Sequence, residues 1–273
     1  MLCRPARARP VRRAIARRPV PTLPTLTWPA SLALALVLLL TPAATVSESR
    51  RHGETGMLEP SHDPLLVSYY ESFLRDQDTD AFCSHVQARY TEGTLDRLVR
   101  SGDTPARRAA VLALGLFGSY ASNAAVAHAL QDADPVVRDL ASGALWAIWF
   151  RADSPENNTL LKQVAGLISR QRLEEAETLA TRLIDRAPTF AEAYNQRAIA
   201  RFLQGRFADS VTDCQRVLER NPYHIGALAG LGGCYLQLDR RAEALETFRR
   251  ALKLQPHNAD LRKTVTALEA EAD

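Results

Sequence analysis

The chain repeats itself three times toward its C-terminus: residues 157–188 read NNTLLKQVAGLISRQRLEEAETLATRLIDRAP, residues 191–222 read AEAYNQRAIARFLQGRFADSVTDCQRVLERNP, and residues 225–256 read IGALAGLGGCYLQLDRRAEALETFRRALKLQP. The repeats end in Pro188, Pro222 and Pro256, which are spaced 34 residues apart. A period of this length is typical of proteins whose helix pairs cannot bury an apolar face alone and stack on their neighbours. The sequence therefore predicts stacked helix pairs.

The three repeats also share the positions of their large and small residues. Counted from Asn157, Ala191 and Ile225, position 4 is large, position 8 is small in two repeats, and position 20 is small where the second helix must pass close to the first. The residues at these positions are Leu160, Tyr194 and Leu228, then Val164, Ala198 and Gly232, then Ala176, Ser210 and Ala244. Small residues at fixed positions indicate close helix packing.

This period and pattern resemble the tetratricopeptide repeat family. The resemblance implies three units, 157–190, 191–224 and 225–258, and a concave groove lined by the first helix of each unit. The groove residues that it implies are Leu161, Ala165, Ile168, Asn195, Ile199, Phe202, Leu203, Ala229, Leu236 and Gln237. Because an exposed apolar concavity marks an interaction site, we expect it to bind an apolar helix or extended segment of a partner protein. The alternative is that other helices of the chain, or a second copy of it, cover these side chains.

The best-known peptide site of the family clamps the C-terminal carboxylate of a chaperone with Lys, Asn and Arg side chains. The corresponding positions here are Leu161, Ala165, Gln196, Gly226 and Gly230. Since none of them is Lys, Arg or Asn, we do not expect the groove to bind a chaperone tail.

A different kind of repeat, with a period of 31 residues, lies N-terminal to these three units. When its two copies are aligned, Arg107 corresponds to Arg138, Ala113 to Ala144, and Leu114 to Leu145. An Asp/Pro turn before an Ala- and Leu-rich helix resembles HEAT-like repeats. We predict such helices over 63–150, the first starting at Asp63-Pro64, where Asp can cap and Pro occupies the first turn.

Together the repeats predict an all-α fold. We expect a right-handed α-solenoid of HEAT-like helices followed by three tetratricopeptide-like helix pairs and a C-terminal capping helix, the second part spanning 157–273. Trp146, Trp149 and Phe150 lie at helical spacing at the end of the first part. We expect them to fill the seam between the two stacks, the alternative being a ligand platform.

The first 47 residues have the layout of an export signal. They contain seven arginines and no acidic residue, then the apolar run Ser31–Leu40, then small residues such as Ala43 and Ala44. We predict a cleaved signal peptide or a short signal anchor over 1–47 and a linker over 48–62. The protein would then be exported across or anchored at the membrane, in a periplasmic or extracellular location; the alternative is a cytoplasmic protein.

The net positive charge of the chain comes from that leader. The whole sequence has 34 basic and 31 acidic residues, and without the seven leader arginines the count is 27 against 31, a net charge of −4. A mildly acidic body is not attracted to phosphate backbones, so we do not expect a nucleic-acid partner.

The sequence gives little indication of catalysis. The six histidines are scattered and form no paired metal spacing, and no nucleophile elbow or phosphate loop is present. Gly230-x-Gly232 falls inside a repeat helix, where a nucleotide loop does not occur. We predict a non-catalytic scaffold or adaptor without metal or cofactor; the alternative is a helper subunit of an enzyme, or a lyase-like activity of the HEAT-like half. Oligomerisation stays open, as does a disulfide between Cys214 and Cys234.

Overall fold

The computed structural model describes residues 65–271, which form thirteen α-helices, two short 3-10 turns and no strand. The predicted leader (1–47), the linker (48–62) and the helix start at Asp63-Pro64 lie outside the described residues. None of the helices within 65–271 combines the length and apolar character that crossing a membrane requires. The prediction of an all-helical repeat fold is confirmed.

The HEAT-like part contains the first six helices, and α4 lies at its centre, packed against α1, α3 and α6. The helices are α1 (Leu65–Asp76), α2 (Thr79–Gln87), α3 (Glu92–Ser101), α4 (Thr104–Phe117), α5 (Asn123–His128) and α6 (Pro135–Trp149), with 3-10 turns at Tyr120–Ser122 and Ala129–Gln131. Their buried side chains form one continuous apolar core.

The remaining seven helices form a regular stack in which each helix packs against the next. They are α7 (Pro155–Ser169), α8 (Leu173–Arg186), α9 (Ala191–Leu203), α10 (Phe207–Arg220), α11 (Ile225–Gln237), α12 (Arg241–Leu254) and α13 (Ala259–Ala270). The first helices of the three pairs, α7, α9 and α11, also contact one another in sequence order. This arrangement is expected when neighbouring helix pairs bury a shared seam.

The 31-residue repeat produces matching helix starts. Asp103 and Asp134 each accept a hydrogen bond from the backbone N–H three residues on, at 2.9 Å, and each helix carries a proline in its first turn. Side-chain acceptance of this kind satisfies one of the free N–H groups at a helix start. Arg108 reaches across from α4 to form a two-point ion pair with Asp134, at 2.9 and 2.6 Å. The cap of α6 is therefore also tied to the neighbouring helix.

The 34-residue repeat produces matching helix ends. The residues that follow α7, α9 and α11 have positive φ: Gln171 (59°), Gly205 (76°) and Asp239 (57°). A left-handed residue at this point ends a helix and turns the chain. The second helices then start after Arg172, Arg206 and Arg240, which pair with Glu175, Asp209 and Glu243 three residues on.

The small residues of the repeat lie where helices approach closely. A Cβ atom at Gly232 would lie 2.6 Å from the ring of Phe248 on α12. The hydroxyl of Ser210 donates to the carbonyl of Ala198 at 2.8 Å, across α9 and α10. Larger side chains at Gly232 or Ser210 would separate the helices, which explains the size pattern in the sequence.

The two stacks meet through residues that lie far apart in the sequence. The hydroxyl of Tyr120 donates to the carbonyl of Arg220 at 3.2 Å, a separation of 100 residues. Trp149 is 2% exposed, and its ring stacks on His224 with centroids 4.0 Å apart, while the edge of Trp146 faces the same ring at 5.5 Å. The prediction that these tryptophans fill the seam is confirmed.

Candidate functional site

Four of the ten predicted groove residues are buried and do not line an open surface: Leu161, Ile168, Asn195 and Ile199. Leu161 packs with α8, and Ile168 and Ile199 belong to one buried cluster between α7, α8 and α9. Asn195 is fully buried, and its amide donates to Glu192 at 2.8 Å. The expectation of an exposed groove is therefore wrong for these four, because the packed neighbouring helices enclose this part of each first helix.

The other six predicted residues retain some exposure. Ala165, Phe202, Ala229 and Leu236 are half-buried, and the ring of Phe202 packs edge-on against Phe207 at 5.3 Å. Leu203 is 45% exposed, and Gln237 is exposed. We call the surface formed by Leu203 and Gln237 at the C-terminal ends of α9 and α11 the outer groove. Its contact with a partner stays a prediction.

A cavity that the sequence analysis did not predict lies between the two stacks. It has a volume of 250 Å³, and we call it the junction cavity. The HEAT-like part contributes an aromatic wall, and the repeat stack contributes most of the polar groups. Its lining includes Tyr120, Trp149, Glu192, Arg220, Asn221 and His224.

Glu192 and His224 form a fully buried pair beside this cavity. Nδ1 of His224 accepts from the backbone N–H of Ala227 at 2.9 Å, so the ring proton is assigned to Nε2, which donates to Glu192 at 2.8 Å. The other carboxylate oxygen of Glu192 accepts from the amides of Asn195 and Gln196, both at 2.8 Å. With both ring nitrogens engaged, His224 presents no free nitrogen to abstract a proton from a substrate.

A second polar chain crosses the junction. The indole Nε1 of Trp149 donates to Oδ1 of Asn123 at 2.7 Å, and the amide of Asn123 donates to Oδ1 of Asn221 at 3.0 Å. Asn123 and Asn221 are both buried, and Nδ2 of Asn221 has no hydrogen-bond partner within the described residues.

A comparison among the repeats does not single out Asn221 and His224. The first repeat has Ala187 and Phe190 at the corresponding positions, 34 residues earlier. The third repeat, however, has Gln255 and Asn258 there, which are also polar, so no sequence signal marks Asn221 and His224 as residues of a site.

The other candidate residues are dispersed. Burial raises the pKa of the Cys83 thiol, and the ring of His85 stacks on Tyr69 at 5.0 Å. Cys214 and Cys234 are buried free thiols, and burial raises the pKa of Cys214 well above its usual value. Within residues 65–271, no three His, Cys, Asp or Glu side chains are grouped as metal ligands would be.

Two repeat families match the chain. The HEAT repeats model matches residues 91–180, and the tetratricopeptide repeat model matches residues 201–268. The chain carries HEAT repeats followed by tetratricopeptide repeats. The HEAT match overlaps the first predicted tetratricopeptide unit (157–190), so the boundary between the two parts stays a prediction.

Relatives with similar repeats occur in animals and plants. Sperm-associated antigen 1 of Rattus norvegicus is 35% identical over 98 residues, which cover 36% of this chain and 11% of that protein. Protein SGT1 homolog of Bos taurus is 33% identical over 102 residues, covering 37% and 30%. Hsp70-Hsp90 organizing protein 1 of Glycine max is 30% identical over 95 residues, covering 35% and 17%. The chain thus spans less than a third of the length of these relatives.

Solved structures with similar repeats include peptide complexes. The first tetratricopeptide domain of Spaghetti (RPAP3), bound to the HSP90 peptide SRMEEVD, is 24% identical, with a TM-score of 0.42 over 44% of this chain and 97% of that domain. The Sgt2 domain of Aspergillus fumigatus is 17% identical, with a TM-score of 0.41 over 44% and 82%.

Proposed function

We propose that the chain is a non-catalytic scaffold or adaptor that binds an apolar segment of a partner protein at the outer groove. The observation that supports this proposal is the exposure of Leu203 at the end of α9, where α9 packs beside α11. The exposed apolar side chain of Leu203 is suited to contact a partner helix or extended peptide.

The names of some relatives point to chaperones as partners, but the residues of this chain favour another ligand. Leu161, at one clamp position, is buried, and Gly226, at another, lies against the HEAT part. A Cβ atom at Gly226 would lie 2.6 Å from the ring of Trp146. A carboxylate tail would find neither charged side chains nor space at Gly226.

A photo-crosslinking amino acid at position 237 tests the outer groove in the native compartment. We expect Leu203→Glu to abolish the crosslinks that position 237 forms, because a charge at the centre of an apolar contact opposes its desolvation. Leu74→Glu is the matched control, since Leu74 is 43% exposed on α1 and distant in sequence. Identical crosslinks in wild type and Leu203→Glu, with both proteins folded, would contradict the proposal.

We also propose that residues 1–47 direct export or anchor the protein at a membrane. The proposal is supported by the basic segment, the short apolar run and the small residues that follow it. Mass spectrometry of the protein from fractionated cells tests it. A mature chain that starts near residue 45, or an intact chain in the membrane fraction, supports export or anchoring, and an intact chain in the cytoplasmic fraction contradicts both.

A further inference from the structure

A groove with a volume of 490 Å³ lies between α10 and α12, the second helices of the last two repeats. We call it the acidic groove. Two buried side chains of α11, Leu231 and Tyr235, form its floor. The rest of its lining comes from α10 and α12 and consists of Gln215, Leu218, Glu219, Glu243, Glu246, Thr247 and Arg250.

The rim of the acidic groove is negatively charged. Glu219, Glu243 and Glu246 are exposed, and with Arg250 as the one cation they leave the lining with a net charge of −2. Glu219 and Glu243 pair with the arginines three residues before them, but all four side chains are at least 45% exposed, so solvent screens these pairs. Glu246 forms no ion pair within residues 65–271. The groove therefore offers carboxylate acceptors to a cation.

The preceding repeat shows which group the equivalent space accommodates. Arg197 of α9 donates to Thr181 of α8 at 3.1 Å and to Asp213 of α10 at 2.8 Å. Arg201 of α9 likewise pairs with Glu177 of α8 and with Asp213, each at 2.8 Å. Two guanidinium groups of the chain itself thus bridge the second helices of these repeats.

One repeat later, neutral side chains replace both arginines. Leu231 lies 34 residues after Arg197, and Tyr235 lies 34 residues after Arg201. The floor between α10 and α12 therefore carries no cation of its own, while the rim carries three glutamates. A guanidinium group that occupies this groove must come from another segment.

We propose that the acidic groove binds an arginine side chain of a partner protein. Its aliphatic part would lie against Leu218 and Leu231, and its guanidinium group would donate to Glu246 and a neighbouring glutamate at the rim. Arginine is favoured over lysine because its planar group has five donors and can bridge two carboxylates. The acidic groove shares no residue with the outer groove, so either proposal can fail without the other.

The test is an NMR titration of the full ¹⁵N-labelled chain with the blocked tripeptide acetyl-Ala-Arg-Ala-amide. We expect saturable shifts of the backbone amides of Leu231 and Glu246. A citrulline peptide keeps the shape and removes the charge, and should bind about tenfold more weakly, because hydrogen bonds to charged groups are the stronger ones. A lysine peptide should also bind more weakly. Equal affinity for the citrulline or the lysine peptide would overturn the assignment to arginine.

Glu246→Gln is the matched variant, because it keeps the size of the side chain and removes its charge. We expect about tenfold weaker binding of the arginine peptide. Glu174→Gln is the control, since Glu174 is an exposed glutamate of α8 outside the lining and its replacement changes the net charge equally. Unchanged affinity in a folded Glu246→Gln protein would overturn the proposal.

A second variant fills the groove from within. Leu231→Arg combined with Thr247→Asp reproduces the Arg197–Asp213 pair one repeat later. We expect this protein, if its circular dichroism matches that of wild type, to lose the saturable shifts. Undiminished binding by the folded double variant would contradict the proposed location.

The seven arginines of the leader are the other source of guanidinium groups. A chain in which all seven are changed to glutamine should bind the arginine peptide as wild type does. Binding by this variant together with no shift in wild type would assign the groove to the leader of the chain itself, and would overturn the assignment to a partner. The absence of a saturable shift in both chains would also overturn the proposal.

Discussion

At the scale of single residues, the contact between Gly226 and Trp146 shows how one missing side chain joins the two stacks. A Cβ atom at Gly226 would lie 2.6 Å from Cη2 of Trp146 and 2.9 Å from Cζ2. The ring of Trp146 also packs against Trp149, at a centroid distance of 5.1 Å, so a shift of Trp146 would disturb that contact. Gly226 is therefore required by the packing between the stacks.

Gly226→Ala should destabilise the protein even though alanine favours a helix. We expect the free energy of unfolding, measured in urea, to fall by about 1–3 kcal/mol, the usual cost of overpacking a core. The control is Gly166→Ala on α7, where a Cβ would meet nothing within 4 Å. This variant should gain about 0.5–1 kcal/mol from the helix preference of alanine. Changes of the same sign in both variants would refute the steric explanation.

At the scale of helices, ion pairs join α8, α9 and α10. Asp213 on α10 is 1% exposed and accepts from Arg197 and Arg201 of α9, each at 2.8 Å. Arg201 also pairs with Glu177 of α8 at 2.8 Å. Because Asp213 is enclosed and shared by two arginines, its removal leaves Arg197 without an acidic partner and Arg201 with Glu177 alone.

Asp213→Ala should therefore lower the free energy of unfolding by about 3–5 kcal/mol, the range for breaking a buried ion pair. Glu219→Ala removes a partner from the Arg216 pair, in which both side chains are more than half exposed. Its effect should stay below about 0.5 kcal/mol, because solvent screens such pairs. Urea unfolding of both variants measures the difference; equal effects would show that burial does not decide the strength of these pairs.

The helix start at Asp134 should make the HEAT part sensitive to acid. The hydrogen bond from Arg108 lowers the pKa of Asp134 below its ordinary value of 3.8. A carboxyl whose pKa is lower in the folded state stabilises the protein above its ordinary pKa, and that stability is lost as the pH falls through the folded value.

We expect the melting temperature of wild type to fall more between about pH 5 and pH 2 than that of Asp134→Asn. Asparagine can still cap the helix, so the variant removes the titrating group and keeps the cap. Thermal melts followed by circular dichroism across this range measure both slopes. Equal slopes would show that Asp134 does not contribute to the acid sensitivity.

At the scale of the whole molecule, the stacks are joined by a small number of contacts between distant parts of the chain. Trp149 contacts His224 by stacking and Asn123 by a hydrogen bond, and Asn123 continues to Asn221. The indole of Trp149 thus packs against His224 and is also the first donor of the hydrogen-bonded chain from Trp149 through Asn123 to Asn221. The coupling of the two stacks should depend on it.

Trp149→Ala should lower the free energy of unfolding by about 3–5 kcal/mol, as expected for the loss of a buried aromatic side chain. It should also accelerate hydrogen exchange of backbone amides in 120–123 and 221–226 together, although these segments are about 100 residues apart in the sequence. Trp149→Phe, which can still stack on His224 but cannot donate, should show a smaller effect. Faster exchange confined to α6 would contradict the coupling.

The repeat units of this protein and their order can be predicted from local patterns in the amino-acid sequence. The 34-residue spacing of Pro188, Pro222 and Pro256 and the matched Asp/Pro turns at Asp103 and Asp134 are local signals, since caps, turns and close helix contacts each involve residues near in sequence or one repeat apart. The tryptophans at the seam were also predictable, because large aromatics at helical spacing are usually buried.

Which surfaces remain open, and where the junction cavity lies, depends on how distant helices pack together. Leu161 and Asn195 occupy groove positions in the repeat pattern, but the helices packed around them bury both. The hydrogen bond between Asn123 and Asn221 spans 98 residues and crosses between two repeats of different period. A contact of this kind produces no periodic pattern in the sequence. Residues recur periodically where neighbouring repeats make the same contact, whereas the contact between the two stacks is made at one place.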